Sequence, residues 1–358
     1  MFTISLCMIV RDEEGTLARC LTSVRDLVDE MIIVDTGSTD HTKDIARSFG
    51  ATLYDFAWID DFSAARNFAF GKATKDYILW LDADDVLEEQ DRARFHHLKE
   101  QQDFDYDAVS MPYHLTLDAE GKPVQYLRRN RLVRRACRFQ WHGAVHEYLA
   151  VGGRVLHSEI AVTHRKERAY TDRNLQMYLK RRERQEEFSP RDTYYFANEL
   201  KDHGRYTEAA EQYELFLDGG KGWIEDQLAA CYKLAECYAH LGLSEKRVQS
   251  LLRALAYDAP RAELCCRLGG YFSDKEDFQT AIYWYRQATL LEQRQDAMGM
   301  TDNAAWTWLP HLQLCYCYDR IGDPKKARIH HEMAKMYNPQ HPSVVYNEAY
   351  FAARSQAQ

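Results

Sequence analysis

Apolar residues come in short runs over the first 165 positions of the chain. Thr3 to Val10, Met31-Ile32-Ile33-Val34 and Tyr77-Ile78-Leu79-Trp80-Leu81 each end in a polar, acidic turn. Runs of this length, separated by segments of helical periodicity, predict buried strands of a mostly parallel sheet in an α/β layer fold. Thr16 to Val24 and Asp40 to Phe49 read as crossover helices, the second capped by Ser38, Thr39 or Asp40 and stopped by Gly50. Beyond residue 165 the pattern changes to helix throughout, and it repeats. Gly204-x-Tyr206-x-x-Ala209-x-x-x-Tyr213 is one unit, and Gly242 with Ala254 and Pro260 a second. Phe278-x-x-Ala281-x-x-x-Tyr285-x-x-Ala288 is a third, and Gly322-x-x-x-x-Ala327 with Ala334 and Pro339 a fourth. Ala281 follows the equivalent Arg247 by 34 positions, the tetratricopeptide period. Longer gaps elsewhere imply inserted loops, notably around Gln293 to Thr301.

The division expected from these patterns is an α/β domain over 1–168, a charged linker helix over 169–190 and an all-α repeat domain over 191–358. The array's groove is expected to draw on Tyr194, Tyr232, Tyr238, Trp284, Trp306 and Trp308, and to bind a peptide or protein or to pair two copies of the chain.

Charge and cysteine usage narrow the function classes. A formal net charge of −9 argues against a nonspecific nucleic-acid partner, which needs clustered Lys and Arg. No apolar stretch approaches the ~20 residues of a membrane span. The opening run lacks a basic lead and passes directly into Arg11-Asp12-Glu13-Glu14, as a strand does and a secretory signal does not. Nine scattered cysteines without a CxxC pair fit buried thiols in a reducing cytoplasm.

The chemistry concentrates at strand ends. Leu81-Asp82-Ala83-Asp84-Asp85 places three carboxylates within four residues after an apolar run. Such a cluster suits a hard divalent cation, Mg²⁺ or Mn²⁺, shared with a substrate phosphate, beyond the carboxyl ends of a parallel sheet. Asp85 reads as the cap of a helix from Val86 onward. In Val34-Asp35-Thr36-Gly37-Ser38-Thr39-Asp40, Asp35 is placed to accept a hydrogen bond from a base or ribose, and Gly37 to allow close backbone approach. Phe62-Ser63-Ala64-Ala65-Arg66-Asn67 opens a helix; its Arg66 can face a diphosphate or hold the acidic cluster. Trp141-His142-Gly143-Ala144-Val145-His146-Glu147 offers groups for general-base work, Glu147 first and His146 second. His164, ending Val162-Thr163-His164, is a candidate third metal ligand. In the basic run Arg128 to Arg138, only Arg131 or Arg134 is expected to turn inward from a β-ribbon.

Taken together, Met8-Ile9-Val10-Arg11-Asp12-Glu13-Glu14, Ile33 to Asp40, Ala65-Arg66-Asn67 and Leu81 to Asp85 resemble, in order and spacing, the family 2 glycosyltransferases of GT-A fold over roughly the first 165 residues. The resemblance implies a nucleotide-diphosphate sugar, a UDP-hexose first among them, bound by Val10, Arg11, Glu13, Asp35, Gly37, Arg66, Asp82, Ala83 and Asp84. It implies a divalent metal on the Asp82-x-Asp84 motif, with Asp84 the direct ligand. Many relatives carry Tyr-Asn-Glu after the first strand and Asp-Asp-Gly-Ser after the second, where this chain has Arg11-Asp12-Glu13 and Asp35-Thr36-Gly37-Ser38, so one base-contacting carboxylate is missing. The subgroup that joins such a domain to tetratricopeptide repeats resembles the SunS-like bacteriocin glycosyltransferases, which modify Cys or Ser of a peptide. That implies an inverting hexosyl transfer to a peptide or protein side chain. Transfer to a cell-surface polysaccharide or lipopolysaccharide, and a non-catalytic adaptor with a decayed sugar domain, are the rival expectations.

Overall fold

The computed structural model describes residues 2–118, 121, 123–165, 171–292, 299 and 301–356. Both the expected boundary at residue 168 and most of the insertion at 293–301 lie outside these residues. The chain forms two compact units, one of 1–187 with 296–300, the other of 188–295 with 301–358.

The first unit is built on a curled, mostly parallel sheet, the GT-A-like arrangement expected. Its strands are β1 (Ile4–Val10), β2 (Glu30–Asp35), β3 (Thr52–Asp55), β4 (Tyr77–Trp80), β5 (Asp85–Val86), β6 (Ala108–Leu117), β7 (Pro123–Arg134), β8 (Gln140–His142), β9 (Tyr148–Ala150), β10 (Val155–His157) and β11 (Val162–His164). The main path runs β3-β2-β1-β4-β7-β6-β11-β5, with β10 beside β6 and β8-β9 forming a separate ribbon. The β3-β2-β1-β4 half is parallel. β7 then pairs antiparallel with both β4 and β6. Helices α1 (Leu17–Val24), α2 (Thr42–Ser48), α3 (Phe62–Phe70), α4 (Glu89–Lys99) and α5 (Arg173–Glu183) complete the unit.

Strand alternation divides β1 between two cores. Ile4, Leu6, Met8 and Val10 pack with Leu17, Leu21 and Val24 of α1, while Cys7 packs with Ile32, Ile78 and Trp80 on the opposite face. Burial on both faces is what makes these strands continuous apolar runs rather than alternating ones. The charged stretch around α5 is not uniformly solvated, because Leu175, Met177 and Tyr178 are buried.

Ser38, Thr39 and Asp40 do not cap α2 in the expected way; His41 occupies that place without a side-chain bond. They stitch the loop after β2 to the loop after β1. Asp12 N–H donates to Ser38 Oγ (2.9 Å), Thr39 N–H to Asp12 Oδ1 (2.7 Å) and Glu14 N–H to Asp40 Oδ2 (3.0 Å). Asp85 differs as well: it forms β5 against β11, and the helix begins only at Glu89.

The second unit is a succession of antiparallel helix pairs: α6 (Pro190–Asp202) with α7 (Tyr206–Gly219), α8 (Ile224–His240) with α9 (Ser244–Arg253), and α10 (Ala262–Asp274) with α11 (Phe278–Leu290). The short α12 (Asn303–Trp306) precedes α13 (Trp308–Arg320) and α14 (Pro324–Tyr337), and α15 (Pro342–Gln356) follows. Gly204, Gly242 and Gly322 turn α6–α7, α8–α9 and α13–α14 in a left-handed conformation, with φ of +72°, +72° and +80°, and Glu276 at +58° does so between α10 and α11. Gly269 lies so close to Tyr285 that a Cβ there would sit 2.7 Å from the ring, which explains the alternation of small and aromatic residues. Tyr194 and Tyr238 are core residues, while Trp284 and Trp306 pack from the side against the core of α10, α11 and α13. Among the described residues no helix is long and apolar enough to cross a membrane. All nine cysteines are free, and all but Cys137 are buried.

Between α13 and α14, the Nδ1 atoms of His311 and His330 are 3.0 Å apart, and the His330 ring lies parallel to Tyr318. Burial first, then His311 and Arg286, push His330 down to about 4. The unfolded chain therefore takes up this proton below the ordinary histidine value of 6.5, before the folded chain does. The stability of the repeat unit should fall as pH drops from about 6.5 towards 4, and His330→Phe should flatten that limb of a Tm-against-pH curve. An unchanged curve would locate the acid sensitivity in other groups.

Candidate active site

The expected residues come from the carboxyl ends of β1, β2 and β4, joined by α3, the β8-β9 ribbon and β11. Ala65-Arg66-Asn67 ties several of them together. Asp61 caps α3 through Ala64 N–H (2.9 Å), which sets the phase of the helix. Asn67 then clamps β8 with two bonds, Nδ2 to Trp141 O (3.0 Å) and Trp141 N–H to Oδ1 (2.8 Å). Arg66 is 8% exposed, and its guanidinium lies against both Trp80 (5.0 Å) and Trp141 (4.8 Å), whose rings meet edge-to-face. From there it donates through Nη2 to Asp82 Oδ1 and through Nε to Glu147 Oε1, each at 2.6 Å. Burial works against the charge of Arg66, but Asp82 and Glu147 more than offset it and hold the group protonated. Burial likewise works against ionised Asp82, and Arg66, Arg131 and Arg129 overcome it, keeping Asp82 far below the usual carboxylate range.

The acidic motif is thereby divided. Asp82 faces Arg66, whereas Asp84 and Asp85 face His164. The β5-β11 pairing sets His164 opposite Asp85, with Nδ1 3.4 Å from Asp84 Oδ1 and 3.7 Å from Asp85 Oδ1. Tyr113 Oη lies 2.9 Å from the same nitrogen. Burial would lower His164, but the two carboxylates outweigh it and push it up to about 9. Asp84, Asp85 and His164 can each bring one ligand atom within 4.8 Å of the others. Asp85 Oδ1 is buried without a hydrogen-bond partner, as an oxygen reserved for a cation is. Two carboxylates and an imidazole suit Mn²⁺ or Mg²⁺.

Asp85, expected only as a helix cap, and Arg131, one of the two arginines expected to turn inward, both take part in the site. Both are fully buried, and they pair at 3.0 Å, with Arg131 stacked between Trp80 (3.9 Å) and Tyr113 (4.4 Å). The signal was the alternation of β7, which sets Arg131 beside the buried Leu132 and Val133 within the basic run. Arg128 is buried too, bonded to Ser110 and Ser158, while Arg134 stays half-exposed against Asp105.

At the other end of the site, Asp35 is 1% exposed. Its Oδ1 accepts from Gly37 N–H and Ser38 N–H, both at 3.0 Å, and Lys43 approaches to 3.4 Å. Burial pushes this carboxylate up, and the bonds from Ser38 and Gly37 with the Lys43 charge bring it below its ordinary value. Asp35 Oδ2 is buried and has no partner. Gly37 is needed for its φ of +110° rather than for a close neighbour, since nothing lies within 4 Å of a Cβ there. The Val10 carbonyl is occupied by Thr36 N–H (2.9 Å), Glu13 Oε2 accepts from Thr16 Oγ1 (2.7 Å), and Arg11 is exposed beside Asp12. Ala83 is buried between the two halves of the acidic motif. His146, at φ +51°, stacks on Tyr178 at 6.4 Å.

A family model described as glycosyl transferase family 2 matches residues 5–160. A TPR repeat-containing protein of Synechococcus elongatus is 60% identical over 87 residues, 24% of this chain and 22% of its own. The SPbeta prophage-derived glycosyltransferase SunS of Bacillus subtilis is 32% identical over 148 residues, 40% of this chain and 34% of its own. An uncharacterized glycosyltransferase of Rickettsia prowazekii is 30% identical over 136 residues, 37% of this chain and 46% of its own. This chain thus spans less than half the length of each. Among solved structures, the TPR protein YrrB aligns at TM-score 0.38 and 17% identity, covering 50% of this chain and 83% of its own. The glucosyl-3-phosphoglycerate synthase of Mycobacterium tuberculosis aligns at TM-score 0.27 and 22% identity, covering 32% of this chain and 44% of its own.

Replacing Arg66 strands two carboxylates against a ring-lined pocket. Arg66→Leu should cost roughly 3–5 kcal/mol in urea unfolding followed by tryptophan fluorescence. A loss of less than about 1 kcal/mol, the scale of an exposed pair, would mean that Asp82 and Glu147 find water instead.

Proposed function

We propose, from the premise that residues 5–160 form a glycosyl transferase family 2 domain, that this chain moves a hexose from a nucleotide-diphosphate sugar, UDP-linked, to a peptide or protein side chain with inversion. The observation that carries the proposal is the pairing of two unsatisfied buried carboxylate oxygens in one site, Asp35 Oδ2 and Asp85 Oδ1. One calls for a hydrogen-bond donor and the other for a cation, and a nucleotide sugar with its divalent metal supplies both.

In this scheme Asp35 receives the N3–H of the pyrimidine, and Gly37 keeps the loop open beside it. Val10, Arg11 and Glu13 border the nucleotide from the end of β1. Asp84, Asp85 and His164 hold the cation, with Ala83 passing close to the donor between them. Bound there, a divalent cation neutralises charge on the departing diphosphate. Asp82 has one oxygen committed to Arg66 and the other left for the donor, so Arg66 serves by positioning. The acceptor nucleophile forms a bond to the anomeric carbon as the bond to the diphosphate breaks, and its proton passes to a base. Glu147 fills that role through the oxygen not held by Arg66, with His146 the next group in reach. The repeat unit presents the acceptor, as concave helical arrays do for peptide segments.

Two substitutions separate these roles. Asp84→Asn should reduce turnover on the order of 10³-fold with the melting curve unchanged, and EDTA should act likewise on the unaltered protein. Glu147→Gln should lower kcat by about 10²-fold or more while donor affinity holds. Full activity after EDTA would exclude the metal; full activity of Glu147→Gln would move the base to His146.

A further inference from the structure

β7 runs antiparallel to β4, with Arg134 opposite Tyr77, Val133 opposite Ile78 and Leu132 opposite Leu79. Each step back along β7 from Leu132 therefore leads past the carboxyl end of β4, towards the turn that opens the acidic motif at Leu81-Asp82. Arg131 and Arg129 stand on that stretch, and they meet the same two rings. Trp80 and Tyr113 lie 3.9 and 4.4 Å from the Arg131 guanidinium, and 6.0 and 5.4 Å from that of Arg129.

The two arginines differ in what answers them. Arg131 is fully buried and pairs with Asp85 at 3.0 Å. The neighbouring Arg128 bonds to Ser110 and Ser158, and Arg134 to Asp105. Among the described residues the side chain of Arg129 makes no hydrogen bond and no ion pair, and its Nε is buried without a partner. Asp82 feels this charge, since Arg129 helps to keep that carboxylate ionised, but Asp82 Oδ1 is bonded to Arg66 instead. A guanidinium nitrogen that has given up water without gaining a bond has lost free energy, and an incoming anion would restore it. The fork of N–H groups on arginine fits two oxygens of one phosphate at once.

We infer that Arg129 binds the sugar-bearing phosphate of the nucleotide-diphosphate donor and holds it as the bond to the anomeric carbon breaks. The electron pair of that bond stays on the phosphate oxygen, and the guanidinium answers the added charge without giving up a proton. The order of the strand ends favours this phosphate over the inner one. Asp35 ends β2, Val10 ends β1, Asp82 follows β4 and Arg129 lies on β7, and these four strands are neighbours in that order. With the base at Asp35, Arg129 stands on the far side of Asp82, where the diphosphate gives way to the sugar. The inference rests on the nucleotide-sugar reading given above and adds to it a residue which that reading does not use.

UDP and UMP differ by the phosphate in question, so their binding to the full chain in MnCl₂, measured by calorimetry, tests the assignment. Arg129→Gln should weaken UDP about tenfold and leave UMP as it was, and the UMP value shows at the same time that the site is still folded. Arg129→Lys keeps the charge but loses the fork, and its affinity for UDP should fall between the two. UDP bound as tightly by Arg129→Gln as by the parent chain would overturn the assignment and leave the nucleotide-sugar reading in place. Equal losses for UDP and UMP would overturn it as well, by making Arg129 a support of the whole pocket. A parent chain that binds neither nucleotide would sink the nucleotide-sugar reading, and this assignment with it.

Discussion

The architecture of the site depends on placing several like charges at the ends of buried strands. Asp82, Asp84 and Asp85 stand within four residues of one another, at the edge of a core where burial disfavours ionisation. Arg66 and Arg131 answer them from two directions, each close to two aromatic rings, Trp80 and Trp141 for the first and Trp80 and Tyr113 for the second. A planar, delocalised cation suits that position where a flexible ammonium would not. Once Asp82 and one side of Asp85 are answered, the charge left over faces His164. The charge open to the proposed cation is therefore a remainder, set by what the two arginines do not neutralise.

Much of this was legible before any coordinates, and what escaped has a common cause. Buried strands announce themselves through unbroken apolar runs, and the repeat helices through Gly204, Gly242 and Gly322 at their turns. Asp35, Arg66, Asp84 and His164 were all named from local pattern; His164 comes within 3.4 Å of Asp84, while Asp35 stands at the end of β2, bonded to Gly37 and Ser38 of its own loop. Asp85 was read as a cap because Ser, Thr and Asp before a helical stretch mean that on average. Only the long-range pairing of β5 with β11, some eighty residues apart, turns it inward. Arg131 was half seen within a basic run, since the run obscured the strand alternation that decides which arginine is interior. Asn67 was quoted in a motif but given no task, because its partner is the backbone of Trp141, and backbone partners leave no trace in a residue pattern.

The repeat unit shows the same division between pattern and placement. The small-and-aromatic alternation correctly implied close helix pairs, and Gly269 against Tyr285 is its most literal instance. The alternation carried no information on which rings are core and which border a pocket among α8, α9 and α10. Tyr194 and Tyr238 belong to the first class and Tyr232 to the second, although all three look alike in the sequence. In the last repeat His331, and in the second Leu251, fill the buried slot that Tyr213 and Tyr285 fill in the others, so burial rather than residue identity is what the repeat preserves.

The cross-stitched loops after β1 and β2 have a kinetic meaning. Side chains of Asp12, Ser38 and Asp40 bind the backbone of the opposite loop, so the rim beside Asp35 is braced by the chain itself. A molecule settling there has little disorder to remove, and the entropy of arranging that rim was spent during folding. Its association rate should then be governed by diffusion and orientation, and how long it stays by the bonds it makes once seated.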